Sequence, residues 1–147
     1  MLVERILPTA FRRLSTIQAD ATLTEAARLL SNTHISLLVV CNLEGAMVGI
    51  LTKTDIVRQI ARCAGSGCTA AGSDVMTRDV IYCHPSDSLH GVLSKMKQHT
   101  FVHIPMVDQM FKPLGVVNAR DALQALLGEA EYDVSLLRDY VMGIGHQ

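Results

Sequence analysis

Gly49-Ile50-Leu51-Thr52-Lys53-Thr54-Asp55 joins an apolar run to a hydroxyl-bearing turn and an acidic residue. This order is typical of a buried strand that leads into the first turn of a helix. The same pattern returns as Gly115-Val116-Val117-Asn118-Ala119-Arg120-Asp121, and sixty-six residues separate its aspartate from the first. The pattern therefore predicts two copies of one structural unit.

A shift of 66 residues also aligns the apolar positions around these motifs, such as Leu23 with Leu89, without a gap. Thr22 and Glu25 have capping-box spacing, so a helix is expected to begin there with one side-chain bond in each direction. Continuous apolar runs with β-branched residues indicate strands that are buried on both faces. Each copy is therefore predicted to have the order β-α-β-β-α. In the first copy the strands are 14–17, 35–41 and 46–51, one helix begins at residue 22 and the other is 55–62. In the second copy the strands are 80–83, 101–107 and 114–117, one helix begins at residue 89 and the other is 121–127.

Composition divides the chain into four parts. Residues 1–63 hold the first copy and 74–128 the second, and the Gly-, Ala- and Ser-rich segment 64–73 is predicted to be a linker. Residues 129–147 have no counterpart after the first copy and are predicted to form a C-terminal helical tail. Either a strap over the core or a dimer contact would bury its apolar residues, which have helical spacing: Tyr132, Leu136, Leu137, Tyr140 and Val141.

The first thirteen residues carry a weaker pattern. Pro8 is predicted to end a short apolar element. Phe11 is expected to pack on the core, while Arg12 and Arg13 are expected to remain in solvent.

Composition and charge exclude several classes of protein. The 147 residues, 49% of them hydrophobic, suffice for a core, and a net charge of −1 with a pI near 6.6 provides no basic surface for nucleic acid. No stretch approaches the roughly 18 uninterrupted apolar residues of a membrane span, and the N-terminus does not resemble an export signal. A cytoplasmic protein without nucleic acid or membrane span is therefore expected.

The four cysteines are expected to be reduced, because no export signal is evident. Cys41 and Cys83 lie in apolar runs and are expected in the core. Cys63 and Cys68 flank the linker, but two thiols do not complete a zinc site, so no metal is expected. Nothing resembles an activated nucleophile or a base with an orienting partner, so the chain is not expected to be an enzyme.

Two β-α-β-β-α units, each with a last strand and helix joined as Gly-hydrophobic-x-(Ser/Thr)-x-x-Asp, resemble the tandem cystathionine-β-synthase (CBS) domains of a Bateman module. The hydrophobic-Pro-hydrophobic strand 103–107 and the lead-in Val75-Met76-Thr77 are also similar to this family. The first copy departs at Val39, which aligns with Pro105, and the second at Asn118, where the family has Ser or Thr. The resemblance covers nearly the whole chain. It implies a stand-alone module of the α+β class, with two pseudo-symmetric β-α-β-β-α CBS motifs packed sheet to sheet and an extra C-terminal helix.

The resemblance implies a regulatory module that binds an adenosine-containing ligand, such as AMP, ADP, ATP or S-adenosylmethionine, in the cleft between the copies. It would signal to an unidentified partner protein, and it would need no cofactor. The residues supply a physical reason for this expectation. Asp55 could accept both hydrogen bonds of a ribose cis-diol, and Thr52 at a helix N-terminus could stabilise a phosphate. Gly49 would let the backbone approach the ligand closely.

The resemblance also implies that adenine pairs with backbone groups on the first and central strands of each copy. Lys53, Arg58 and Arg120 lie beside the motifs and are candidate counter-charges for a phosphate. The predicted ligand-binding residues are Thr16, Ile17, Ser36, Leu37, Gly49, Thr52 and Asp55 in the first copy, and Tyr82, Cys83, Val102, His103, Gly115, Asn118, Arg120 and Asp121 in the second.

The same motifs have a second interpretation, because Thr52 with Asp55 and Asn118 with Asp121 are also ordinary helix caps that need no ligand. The alternative function is therefore a structural dimerisation or docking module with degenerate clefts. Apolar helix faces predict a homodimer in either case. If both copies bind, the site with Thr52 is expected to be the stronger, since the Asn118 amide can cap its own helix.

Overall fold

A computed structural model describes residues 1–63 and 69–145. The first half contains a 3-10 helix Val3–Ile6, α1 Leu7–Arg12, β1 Thr16–Gln18, α2 Leu23–Leu30, β2 Leu37–Cys41, β3 Met47–Thr52 and α3 Lys53–Cys63. The second half contains α4 Gly72–Val75, α5 Leu89–His99, β4 His103–Val107, β5 Pro113–Asn118 and α6 Ala119–Gly145.

The first copy is built on a three-stranded sheet in the order β1-β2-β3. All five residues of β2 are buried, as its apolar sequence predicts, and β2 pairs in parallel with β1 and antiparallel with β3. Thr22 caps the N-terminus of α2, because its hydroxyl accepts a hydrogen bond from Glu25 N at 3.2 Å. The predicted return bond from the Glu25 carboxylate is wrong, because that carboxylate pairs with the Arg28 guanidinium instead.

In the second copy, the described residues form a sheet of two paired strands, β4 and β5. The predicted strand over 80–83 is wrong: it is reduced to one parallel bridge, between Cys83 and Met106. The chain turns away directly afterwards, because the Asp87 carboxylate accepts a hydrogen bond from His84 N at 2.8 Å. A single bridge is nevertheless enough to bury Cys83 in the core.

The two sheets face each other, which confirms the packing that the resemblance implies. Leu37, Val39 and Cys41 of β2 form a buried cluster with Val116 of β5 between the sheets. A larger apolar core lies on the other side of each sheet, beneath α2 in the first copy and α5 in the second. The fold is thus a mixed α+β arrangement in which the two copies share a central apolar layer.

The N-terminal segment packs on the second copy. Pro8 lies in the first turn of α1 rather than at the end of an element, and α1 contacts β5. The expectations for two side chains here are wrong. Ala10, not Phe11, is buried, while Phe11 is 66% exposed. Arg13 pairs with Asp121.

Gly49 and Gly115 are positions of close backbone approach, and they make equivalent contacts. A Cβ on Gly49 would lie 2.5 Å from Met76 Sδ and 2.8 Å from Thr77 O. A Cβ on Gly115 would lie 2.7 Å from the Ala10 carbonyl carbon. Since Met76 and Ala10 are 66 residues apart, the segment that leads into each copy packs on the glycine of the other. The two copies are therefore joined by a reciprocal exchange, in which each copy receives the lead-in segment of the other against its glycine.

The predicted linker 64–73 is only partly described, since residues 64–68 lie outside the described residues. Its C-terminal end is ordered against the first copy: Gly72 N donates to Ala21 O at 2.8 Å and Ser73 N to Ala19 O at 2.9 Å. The short helix α4 follows immediately.

The predicted C-terminal helix is present, but it is not a separate element: α6 is continuous over 27 residues and joins the predicted helix 121–127 to the tail through Gly128. Its apolar side chains beyond Gly128 are exposed, Leu137 by 64%. The tail therefore does not act as a strap over the core of its own chain.

Cys41 and Cys83 are free and buried, as expected. Burial raises the pKa of the Cys83 thiol to about 12, which makes it unreactive. The expectation of reduced thiols is wrong for Cys63, which is disulfide-bonded. Cys68 lies outside the described residues.

Candidate functional site

A cavity of about 390 Å³ lies between the two copies. The turn between β3 and α3 contributes Thr52 and Asp55 to its wall, and Ser36 and Leu37 come from the start of β2. Val102 and His103 reach it from the second copy. Six of the residues that the sequence predicts as ligand contacts therefore share one cavity, although they come from both copies.

Asp55 is the most buried charged residue of this cavity, with 7% of its surface exposed. Its Oδ2 accepts hydrogen bonds from Thr52 N at 3.0 Å and Thr52 Oγ1 at 3.2 Å. Thr77 Oγ1 lies 3.4 Å from both carboxylate oxygens, and Arg58 Nη1 lies 3.6 Å from Oδ1. From the part of the chain that the structure describes, Oδ1 thus receives only long contacts, and it keeps the capacity to accept a short hydrogen bond.

Thr52 and Asp55 also cap α3 reciprocally, because Asp55 N donates to Thr52 Oγ1 at 3.3 Å while the carboxylate accepts from Thr52 N. This is the geometry of a capping box. The single hydroxyl hydrogen of Thr52 points at Asp55 Oδ2. It can reach a phosphate only if it leaves that carboxylate, so the predicted phosphate contact competes with a bond inside the protein.

His103 and Asn118 are bonded to each other at the second copy's end of the cavity. Asn118 Oδ1 accepts from Arg120 N at 2.8 Å and from Asp121 N at 3.2 Å, so it caps α6. Its Nδ2 therefore donates to His103 Nε2 at 2.8 Å, which places the ring hydrogen of the neutral histidine on Nδ1. Burial lowers the pKa of His103, and the nearby Arg13 lowers it further against the opposing effect of Asp121. His103 is therefore neutral at pH 7.

Asp121 occupies the position in the second copy that Asp55 has in the first, but its surroundings differ. Arg13 Nε donates to Asp121 Oδ2 at 2.5 Å and Arg13 Nη2 donates to Oδ1 at 3.1 Å. This two-point pair uses both carboxylate oxygens, and both side chains are less than one third exposed. The carboxylate of the second copy is thus already engaged by a cation of the same chain.

The remaining predicted residues lie outside the cavity. Gly49 packs against Met76 and Thr77, and Gly115 packs against Ala10. Ile17 and Cys83 are buried in the cores. Tyr82 contacts the rings of His84 and Phe111. Thr16 and Arg120 are exposed, and Asn118 and Asp121 make the contacts given above.

Several cavity residues were not predicted from the sequence. Thr77, Asp79 and Thr100 all line the cavity. Thr77 reaches it because its backbone pairs with Ile50 in both directions, at 2.9 and 2.8 Å. Thr77 is the last residue of the lead-in Val75-Met76-Thr77, and this motif was the one available signal for the contact. No group of three or more His, Cys, Asp or Glu side chains suited to a metal occurs within 1–63 and 69–145.

Residues 7–62 and 72–128 each match the family model of the CBS domain. The chain belongs to the CBS-domain family. It holds two tandem CBS copies, as the repeated motif predicts. No helix in the described part of this CBS pair is long and apolar enough to cross a membrane.

Solved CBS pairs have the same fold. The CBS domain pair of protein MJ0100, in complex with 5′-methylthioadenosine and S-adenosyl-L-methionine, is 26% identical with a TM-score of 0.71 and covers 88% of this chain and 98% of its own. The CBS-domain protein ATU1752 from Agrobacterium tumefaciens is 25% identical with a TM-score of 0.71, over 84% of this chain and 92% of its own.

Two of the curated relatives are much longer proteins. A homoserine O-acetyltransferase from Methanosphaera stadtmanae is 33% identical over 102 residues, which are 69% of this chain and 20% of that protein. An L-aspartate semialdehyde sulfurtransferase from Methanocaldococcus jannaschii is 28% identical over 72% of this chain and 20% of its own length. The chain spans about a fifth of the length of these two relatives.

Proposed function

We propose that this CBS pair is a regulatory module that binds one adenosine-containing small molecule in the cavity at Asp55. The observation that carries the proposal is the composition of the cavity wall, which combines the first copy's Thr52 and Asp55 with the second copy's Val102 and His103. A molecule in this position would touch both copies at once. Its binding energy could then favour one relative arrangement of the copies.

The cavity suits a nucleoside for two physical reasons. Asp55 Oδ1 has no short hydrogen bond to any described residue, so it can accept one from a ribose hydroxyl. Ile50, Val80 and Val102 give apolar walls to the same cavity, against which a flat base can be buried. The relative MJ0100, whose structure contains methylthioadenosine and S-adenosylmethionine, supports the ligand class.

Isothermal titration calorimetry with adenosine, AMP, ATP, 5′-methylthioadenosine and S-adenosylmethionine tests this proposal. At least one ligand should bind the natural chain, and Asp55→Asn should weaken it by tenfold or more, since hydrogen bonds to a charged group contribute about 1.5–3 kcal/mol. Asp20→Asn is the matched control, because Asp20 is an exposed aspartate that does not line the cavity. Binding that Asp55→Asn leaves unchanged would refute the assignment.

A route for the signal starts at His103, which lines the cavity and holds the Asn118 cap of α6. A ligand that moves the His103 ring would therefore act on the first turn of α6, the longest helix of the described chain. Amide hydrogen exchange at Arg120 and Asp121 should slow in the presence of the ligand. Unchanged exchange there would place the signal elsewhere.

We further propose that α6 makes the CBS pair a homodimer. Exposed or half-exposed apolar residues repeat at spacings of four and three along one side of the helix, which is the pattern of a coiled-coil seam: Leu123, Leu127, Ala130, Val134, Leu137 and Val141. In a parallel pair, Asp133 of one helix lies beside Arg138 of its twin, so the flanking charges are complementary. A parallel arrangement also covers the whole seam from Leu123 onward.

Light scattering tests the dimer, with a mass of about twice the 16.0 kDa chain expected. Leu137→Asp should give the monomer, because it places a charge in the seam without touching the core. Tyr132→Asp is the control, since Tyr132 is equally exposed but lies on the other side of α6. A monomeric natural chain, or a dimer that Tyr132→Asp breaks and Leu137→Asp does not, would refute the seam.

A further inference from the structure

The charges around the cavity are not balanced. Among the described residues that line it, Asp55 and Asp79 are acidic and Arg58 alone is basic. Arg58 lies 3.6 Å from Asp55, so its charge is already shared with that carboxylate. Asp79 is exposed and forms no ion pair within 1–63 and 69–145. One uncompensated negative charge therefore remains at the cavity.

His103 does not correct this imbalance. Its Nε2 accepts the hydrogen bond from Asn118, a role that only the neutral ring can fill. Burial also lowers the pKa of His103, so a positive charge on this ring is disfavoured at pH 7. The cavity therefore offers a phosphate only one cation, Arg58, against two carboxylates.

Asp79 lies within reach of a substituent on a ribose that is bound at Asp55. Thr77 Oγ1 contacts the Asp55 carboxylate at 3.4 Å, and Asp79 follows two residues later along the same segment. Two residues span at most about 7 Å, so the Asp79 backbone lies close to that contact. A charge on the ligand near this segment would therefore interact with the Asp79 carboxylate.

We propose that the cavity selects adenosine derivatives with a cationic or uncharged sulfur group in place of phosphate, and that Asp79 is the specificity-determining residue. The inference rests on the proposed function at the same site. A sulfonium or ammonium group is attracted by the excess carboxylate, whereas each phosphate adds negative charge to a cleft that is already negative. The 66-residue repeat aligns Asp79 with Arg13, so the two copies carry opposite charges at this position.

Calorimetry with two pairs of ligands tests the selection. S-adenosylmethionine and S-adenosylhomocysteine differ by one methyl group and the sulfonium charge, and the natural chain should prefer the first by about fivefold, as for an exposed ion pair. ATP should bind more weakly than 5′-methylthioadenosine. Asp79→Asn should remove the preference for the sulfonium and strengthen ATP binding, while the affinity for uncharged 5′-methylthioadenosine stays the same. Asp20→Asn should change none of these values.

The outcomes separate this inference from the function on which it rests. If ATP or AMP binds more tightly than S-adenosylmethionine, or if Asp79→Asn leaves the sulfonium preference unchanged, the selection by Asp79 is wrong while a nucleotide site stands. If none of the ligands binds and the melting temperature stays flat with each, the proposed function itself is wrong. Circular dichroism of Asp79→Asn should match the natural chain, since this exposed side chain makes no hydrogen bond within the described ranges.

Discussion

Arg13 and Asp121, which are 108 residues apart in the chain, form a two-point ion pair with distances of 2.5 and 3.1 Å. Among the described residues, Asp55, the counterpart of Asp121 in the first copy, has one guanidinium nearby, and that contact is 3.6 Å long. The two copies thus resemble each other in sequence but differ in the availability of their carboxylates. This difference has a direct consequence for ligand stoichiometry.

We predict one ligand per chain, bound at the first copy's carboxylate. Asp55→Ala should abolish calorimetric binding, whereas Asp121→Ala should leave affinity within about threefold, because its oxygens are engaged by Arg13. The same ligand must be titrated into both variants. Two equivalent binding events in the natural chain would contradict the predicted stoichiometry. Loss of tight binding in Asp121→Ala alone would assign the site to the second copy.

The ion pair should also stabilise the junction of the two copies. Arg13→Ala leaves a largely buried carboxylate without its partner, so the free energy of unfolding should fall by about 1–3 kcal/mol. Urea denaturation of Arg13→Ala, Asp121→Ala and the double variant gives the coupling energy. Arg12→Ala, at an exposed neighbouring position, should stay within about 0.5 kcal/mol of the natural chain. A coupling energy near zero would show that the pair does not contribute.

Sequence alone was sufficient for the parts of the fold that depend on local pattern. The 66-residue repeat, the buried strand β2 and the Thr22 cap all follow from neighbouring residues. Contacts between distant segments were not accessible in this way. Arg13 has the sequence signature of an exposed cation, and only the packing of α1 on β5 brings it to Asp121.

The candidate site shows the same limit. Asp55 was found because its spacing from Gly49 and Thr52 repeats in the second copy. Asp79 carries no such signal, since its equivalent is Arg13, and it joins the cavity through the pairing of Thr77 with Ile50. The predicted boundary between the helix 121–127 and the tail falls at Gly128, which lies inside α6, because glycine can end a helix but is also tolerated within one.

His103 predicts a loss of stability in acid. Burial, followed by the Arg13 charge, lowers its pKa in the folded state, so the unfolded chain binds a proton more readily between its ordinary pKa, about 6.5, and the lower folded value. The free energy of unfolding should therefore decrease as pH falls through this range. His103→Gln should show a smaller decrease between pH 7.5 and 5 in urea denaturation. His90→Gln, on the exposed side of α5, should behave as the natural chain does, and equal pH dependence in all three would exclude His103 as the cause.

Glycine substitutions test the reciprocal exchange between the copies. Gly49→Ala would place a Cβ 2.8 Å from the Thr77 carbonyl oxygen, and Gly115→Ala would place one 2.9 Å from that of Ala10. Because backbone cannot yield as a flexible side chain does, each should lower the free energy of unfolding by about 1–3 kcal/mol. Gly128→Ala is the matched control with the opposite sign: nothing lies within 4 Å of its added Cβ, and alanine in a helix interior should raise the stability by about 0.5–1 kcal/mol. Thermal and urea denaturation of the three variants measure these changes. Unchanged stability in both Gly49→Ala and Gly115→Ala would mean that the segments around Met76 and Ala10 are not held tightly against the opposite copy.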